Sequence, residues 1–199
     1  LLNSLDVFPQ DFQKCVEFHG HVCPGLAIGY AAAKAGMRVL NVGPSEDEEI
    51  VAIVENDSCA VDAVQSLLGC TFGKGNLIFR DWGKQVFTFL DRKTLRAVRV
   101  SLRADMPGRS ERHDLKKRID SGLASDSDKK RWNELREILT KELISSDPDR
   151  YFEVRMENCE IPPLAKIVDT QPCSICGETV MTTKLLEREG RKVCHGCAT

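Results

Sequence analysis

Four cysteines near the end of the chain, Cys173, Cys176, Cys194 and Cys197, are spaced Cys-x2-Cys-x17-Cys-x2-Cys. Each Cys-x-x-Cys pair can form a knuckle that aims two thiolates at one ion, and two knuckles complete the tetrahedron that zinc prefers. Four protein donors leave no open position, so a zinc here is expected to be structural rather than catalytic. Gly177 follows the second cysteine, where a knuckle needs an unusual backbone turn. Residues 171–199 are too few to bury much core, so the metal would supply the folding energy of this tail. The competing explanation is a pair of independent redox Cys-x-x-Cys motifs.

A second set lies in the front half. The segment FHGHVCPGL carries His19, His21 and Cys23, and NDSCAVD carries Asp57, Cys59 and Asp62. In an extended segment His19 and His21 would point the same way. Cys23 directly precedes Pro24-Gly25 at a predicted helix start, and Cys59 falls in the first turn of the next predicted helix. Helix N-termini favour negative charge, which is expected to lower a thiol's pKa. Imidazole and thiolate together suit zinc or a similar transition metal, and three protein ligands would leave a position open for water or substrate. Against this stands simple burial of cysteines and an ordinary structural histidine. A third segment, GCTFGKGN, spans Gly69 to Asn76 and contains Cys70 and Lys74. Its spacing is not that of a P-loop. Turn-making glycines explain it as well, although Lys74 would suit a small anionic ligand.

These residues need elements to position them. Helices are expected at Gln10–Phe18, Gly25–Val39 and Ser58–Leu68, the last capped by Asp57 or Ser58 and closed by Gly69. Strands are expected at Ile50–Glu55, Asn76–Arg80, Val86–Asp91, Leu95–Leu102 and Tyr151–Met156. Residues 104–150 hold 11 basic and 11 acidic side chains. Within them Asp128–Ile144 reads as an amphipathic helix with Trp132, Leu135, Leu139 and Leu143 on one face, most simply a solvated helix rather than a partner surface. In the tail, Thr179–Thr183 and Arg191–Val193 are expected to pair as one hairpin across Arg188–Gly190. Mixed strands with segregated helices imply an α+β core over residues 1–165, with Pro162-Pro163 and Gln171-Pro172 marking a linker to a separate four-cysteine module at 171–199.

The bulk composition narrows the function classes. The 199 residues are 42% hydrophobic and 29% charged with a formal net charge of −2, which argues against a chain devoted to nucleic acid. No apolar run is long enough to span a membrane. Leu1–Asp11 contains two acids and no basic residue, unlike a secretory signal. Nine cysteines cannot all pair, and their grouping suggests metal and thiol chemistry in a reducing, cytoplasmic setting.

FHGHVCPGL, NDSCAVDAVQSLLGCTFGKGNL and the following DWGKQVFTF resemble the FmdE family, proteins similar to the FmdE component of molybdenum or tungsten formylmethanofuran dehydrogenase. The strand-like FEVRMENCEIPPLAKI and the C-terminal cysteine pairs fit as well, whereas 104–150 contributes little. The resemblance implies an α+β core, a C-terminal zinc module and a homodimer. It also implies one pocket lined by His19, His21, Cys23, Cys59, Asp62, Cys70 and Lys74. The chain has no pterin-binding or iron–sulfur ligand run, so hydride and electron chemistry would belong to other subunits of a larger oxidoreductase complex. Three readings follow. The first is an accessory or enzymatic FmdE-like subunit with a core metal, zinc or a similar ion, on His21 and Cys59 completed by His19 or Cys23. Asp62 would orient a ligand and Lys74 an anion. The second is a zinc-binding adaptor, and the third a thiol redox protein using Cys23, Cys59 and Cys70.

Overall fold

The computed structural model describes residues 7–106 and 108–199, so part of the N-terminal segment compared above with a secretory signal lies outside the described residues. The chain divides into two compact units, with the division between Leu164 and Ala165.

The first unit is α+β. Helices α1 (Gln10–His19) and α2 (Pro24–Leu40) are followed by strand β1 (Ile50–Val54), helix α3 (Ala60–Leu68) and strands β2 (Leu77–Phe79), β3 (Val86–Asp91) and β4 (Arg96–Leu102). Helices α4 (Arg109–Asp120) and α5 (Asp126–Ser145) then precede strand β5 (Phe152–Glu157). The sheet runs β2-β1-β3-β4-β5; β1 and β2 are parallel and the other neighbours antiparallel. The one parallel pair needs a crossover, and α3 supplies it. Cys59 therefore sits where the chain leaves the C-terminal end of β1 and turns into α3, the end at which open α/β sheets place ligands.

Helix α2 is the hub. Leu26, Ala27, Tyr30 and the Ala31–Ala33 run are all buried, against the sheet on one side and neighbouring helices on the others. Its glycines set the approach distances. A Cβ on Gly29 would lie 2.0 Å from the Ala60 carbonyl oxygen, and one on Gly36 would lie 2.2 Å from the Phe89 ring. α3 thus packs backbone against backbone on α2. The opposite sheet face carries a small cluster of Val51, Leu90 and Ala97, against which Ile78 and Cys159 pack. The same face holds the buried ion pair of Glu55 with Arg99.

Helix α4 was not expected. Only Leu115 of this helix is buried, so no apolar stripe announces it. Helix α5 begins at a capping box: Ser125 Oγ accepts from Asp128 N while the Asp128 carboxylate accepts from Ser125 N. Leu135, Leu139 and Leu143 are buried as expected, whereas Trp132 is half-buried and faces a cleft. No helix among the described residues is long and apolar enough to cross a membrane.

The second unit contains two short hairpins rather than the single one expected. Strand β6 (Thr170–Pro172) pairs with β7 (Thr179–Met181), and β8 (Leu186–Arg188) pairs with β9 (Arg191–Val193), before a short helix α6 (His195–Ala198). Glu189 and Gly190 both take positive φ and make a two-residue turn. That turn closes Arg188 onto Arg191, so the residues before Leu186 cannot be partners of β9 and β7 pairs with β6 instead.

Candidate metal centres

The front site is built by two helix starts and one helix end. α1 finishes at His19 because Gly20, at φ +98°, turns the chain in the left-handed region and donates its N–H to Val16 O. Three residues later α2 begins: Cys23 is its N-cap, with Sγ accepting from Leu26 N at 3.3 Å, and Pro24 occupies the first turn, where a missing N–H is harmless. Cys59 begins α3. The connection from β1 is pinned by buried Asn56, whose Oδ1 accepts from Ser58 N and Ser58 Oγ and whose Nδ2 donates to Lys84 O. Neither Asp57, which is exposed, nor Ser58 is the N-cap; Cys59 occupies that place without a side-chain cap bond.

Convergence follows from missing side chains. A Cβ on Gly25 would lie 3.0 Å from Cys59 Cβ, and Gly29, one turn on, admits the Ala60 backbone. With both positions bare, the N-termini of α2 and α3 meet, and the donor atoms of His19, Cys23 and Cys59 lie within 4.8 Å of one another. His19 Nε2 is 3.7 Å from Cys23 Sγ. Its Nδ1 is 2.7 Å from Asp62 Oδ2, one turn into α3. A carboxylate at Nδ1 holds the proton there and leaves the Nε2 lone pair for an ion. His19 and Cys23 are largely buried and Cys59 is half-buried.

Several expectations need correction. The imidazole of the triad is that of His19. His21 is exposed at the rim, its ring against that of His19 with centroids 4.5 Å apart, because the turn at Gly20 breaks the extended geometry expected of His-x-His. Cys70 and Lys74 do not join the cluster. They follow the C-terminal end of α3, whose nine residues span about 13 Å, while Cys59 stands at its start. Cys70 is buried with Sγ donating to Ile50 O, and burial pushes its thiol up to about 12. Lys74 Nζ donates to the carbonyls of Ser45 and Glu46, tying down the loop before β1 rather than meeting a ligand. The helix start does not lower the Cys59 pKa either. Burial pushes it up, and the neighbouring Cys23 adds to the rise.

Beside the triad lies a cleft of about 340 Å³ lined on one side by His21, Cys23, Pro24, Gly25 and Cys59. Its far wall is formed by Arg112 of α4 and by Trp132, Arg136 and Leu139 of α5. Sequence reasoning missed these arginines, because a balanced charged stretch gives no hint which of its members turn inward. It missed Gly25 and Gly29 as well, although their four-residue spacing on an alanine-rich helix is a legible sign of close helix approach.

The tail cluster is more local. Donor atoms of Cys173, Cys176, Cys194 and Cys197 lie within 4.8 Å of one another, with Cys176 and Cys194 Sγ 4.0 Å apart. Two ligands of a tetrahedral zinc, each about 2.3 Å from the ion, stand roughly 3.8 Å apart. Gly177 at φ +74° donates to Cys173 O and closes the first knuckle. Backbone hydrogen bonds aimed at Cys173 Sγ, from the N–H groups of Cys176, Cys194 and Ile175, hold that thiol down at about 6. Hydrogen bonding with Cys194 and Cys176 pushes Cys197 up to about 12. Four thiolates at one point need a cation, and a metal is the group that fits this donor set.

The sequence model of the family described as "FmdE, Molybdenum formylmethanofuran dehydrogenase operon" matches residues 18–153. The chain belongs to the FmdE family. The match contains the whole front triad and the α4–α5 pair, and ends before the four-cysteine tail. A curated relative from Archaeoglobus fulgidus, named "Probable S-adenosyl-L-methionine-binding protein", is 35% identical over 192 residues, covering 92% of this chain. The chain spans half the length of that relative. A solved structure from Syntrophus aciditrophicus, of a protein like the FmdE component of tungsten formylmethanofuran dehydrogenase, is 27% identical with a TM-score of 0.61. That likeness covers 94% of this chain and 89% of the other.

Proposed function

We propose that this chain is an FmdE-like metalloprotein, an accessory or enzymatic subunit related to molybdenum or tungsten formylmethanofuran dehydrogenase. Its core carries a reactive-type metal on His19, Cys23 and Cys59, and its tail carries a structural zinc on Cys173, Cys176, Cys194 and Cys197. The observation that carries the reading is the front triad, three donors from three different helix ends within 4.8 Å of one another, with Asp62 fixing the imidazole. One imidazole and two thiols suit zinc among the divalent ions, and three protein donors leave its fourth position open. A metal bound there would supply Lewis acidity toward a ligand entering from the cleft. The chain's own contributions are geometric and electrostatic. Asp62 orients His19, and Gly25 and Gly29 let Cys59 approach Cys23. The N-termini of α2 and α3 favour negative charge on a ligand beside them.

Metal analysis of the full chain tests this. Two ions per chain are expected, falling to one in Cys59→Ala with the tail still folded. A single ion in the wild type, or two retained in Cys59→Ala, would sink the front centre.

A further inference from the structure

The charged stretch 104–150 reads in the sequence as carrying one solvated helix, yet Arg112 of α4 and Arg136 of α5 line the cleft over the triad. Arg136 and Trp132 project from successive turns of α5, with the Arg136 guanidinium 5.8 Å from the centre of the Trp132 ring. Among the described residues Arg136 makes no ion pair, although its neighbours do: Arg131 with Glu111 and Glu134, and Lys141 with Glu137. Arg112 arrives from α4, and burial holds it below the usual guanidinium range, with Glu142 opposing and Arg109 adding to that effect. Asp62, one turn into α3, is engaged with His19. Pro24 and Leu139 stand beside Trp132 as the apolar part of the wall, with His21, Cys23 and Cys59 also lining the cleft. Two helix N-termini add positive potential from below.

We propose that this cleft takes a small organic carboxylate with a flat apolar body, its charge held by Arg112 and Arg136 and its body against Trp132, Leu139 and Pro24. The guanidinium fork matches a carboxylate in two parallel hydrogen bonds, which favours this anion over a spherical one. The volume of about 340 Å³ admits a single-ring ligand and little more. The inference rests on the proposed metal centre, which forms the floor of the cleft, and it names the class of ligand that centre meets.

The test titrates the zinc-loaded full chain with benzoate and with neutral, similarly shaped benzamide, following the Trp132 indole N–H by NMR, assigned with Trp132→Phe. Benzoate should shift that signal and bind at least about tenfold more tightly than benzamide. Arg136→Gln and Arg112→Gln should each weaken benzoate about tenfold or more, as expected for loss of a charge-assisted hydrogen bond. Exposed Lys130→Gln should change nothing. Equal affinity for the two probes, which needs no variant, overturns the proposal. So does wild-type affinity in the double arginine variant, or a response at Trp82 alone. Metal content is measured on the same samples. One ion per chain with an arginine-dependent preference for benzoate would refute the metal centre and support the ligand class. Two ions with no such preference would do the reverse.

Discussion

Gly29→Ala adds one methyl group at the contact on which the front site depends. The new Cβ would stand 2.0 Å from the Ala60 carbonyl oxygen and 2.6 Å from both the Ala60 carbonyl carbon and Cα. Ordinary non-bonded contacts lie near 3.5 Å, so α3 must retreat from α2 by roughly 1.5 Å. The obstacle is backbone on both sides, and no side chain can swing away to absorb it. Overpacking of this kind costs about 1–3 kcal/mol. Replacing glycine by alanine within a helix returns about 1 kcal/mol. A net loss of up to about 2 kcal/mol is expected, which for a chain of this size lowers Tm by up to about 8 °C. The consequence for the site is larger than that for the fold. Metal–ligand distances tolerate about 0.2 Å, and Cys59 rides on the displaced end of α3.

Thermal unfolding and metal analysis on the same sample check both parts. Gly29→Ala should fold, lose a few degrees and hold about one ion per chain, the remaining ion being that of the tail. Gly36→Ala is the control, because its Cβ would meet the Phe89 ring at 2.2 Å on the sheet side of α2. It should lose stability and keep both ions. If Gly29→Ala is as stable as the wild type and keeps both ions, the backbone approach of α3 to α2 does not set the site.

Asp62→Asn should weaken the front metal by about 10–100-fold in a competition titration and leave the tail metal unchanged, because that carboxylate sets the orientation and basicity of His19. Cys173→Ser should unfold the tail alone, seen as rapid proteolysis after residue 165 with the core's Tm unchanged. Arg99→Ala should destabilise the core by about 3–5 kcal/mol in urea unfolding, because Glu55 is only 1% exposed and would be left without its cation. Replacing Glu55 and Arg99 together by apolar residues should cost much less.

The parts of the fold that were legible in the sequence are those with a period or a punctuation mark. The alanine-rich α2 behind Pro24, the β-branched IVAIV run and the adjacent strands Val86–Asp91 and Leu95–Leu102 lie where their patterns place them, the last starting one residue later at Arg96. α4 was illegible because RSERHDLKKRID has no apolar period; it is held by Leu115 and by ion pairs to α5 such as Arg131–Glu111. The four-cysteine cluster was legible because its geometry is local, two knuckles joined by short hairpins. The front cluster was legible as a list of residue types and not as an arrangement. His19 and His21 are indistinguishable by spacing, and a single left-handed glycine decides which one reaches the sulfurs. Cys70 and Lys74 stand close to Cys59 in sequence and a full helix away in space, a separation visible only once α3 is known to be unbroken.

The two clusters also stand in opposite relation to folding. The tail strands are three residues each, and apart from Val193 and Cys173 almost nothing in them is buried, so the unit lacks a core to hold four thiols together before an ion arrives. Metal binding there is folding, and chelation should cost the tail its structure. The front triad is assembled by a core that needs no ion: α2 is packed on several sides, and α3 is locked against it by two glycines. An ion in that site meets a preformed set of donors, so its binding free energy is not consumed in ordering the chain. A centre of that kind can release or exchange a ligand without unfolding the domain around it. Three protein donors under a cleft walled by arginines fit such use, whereas four donors in a coreless tail do not.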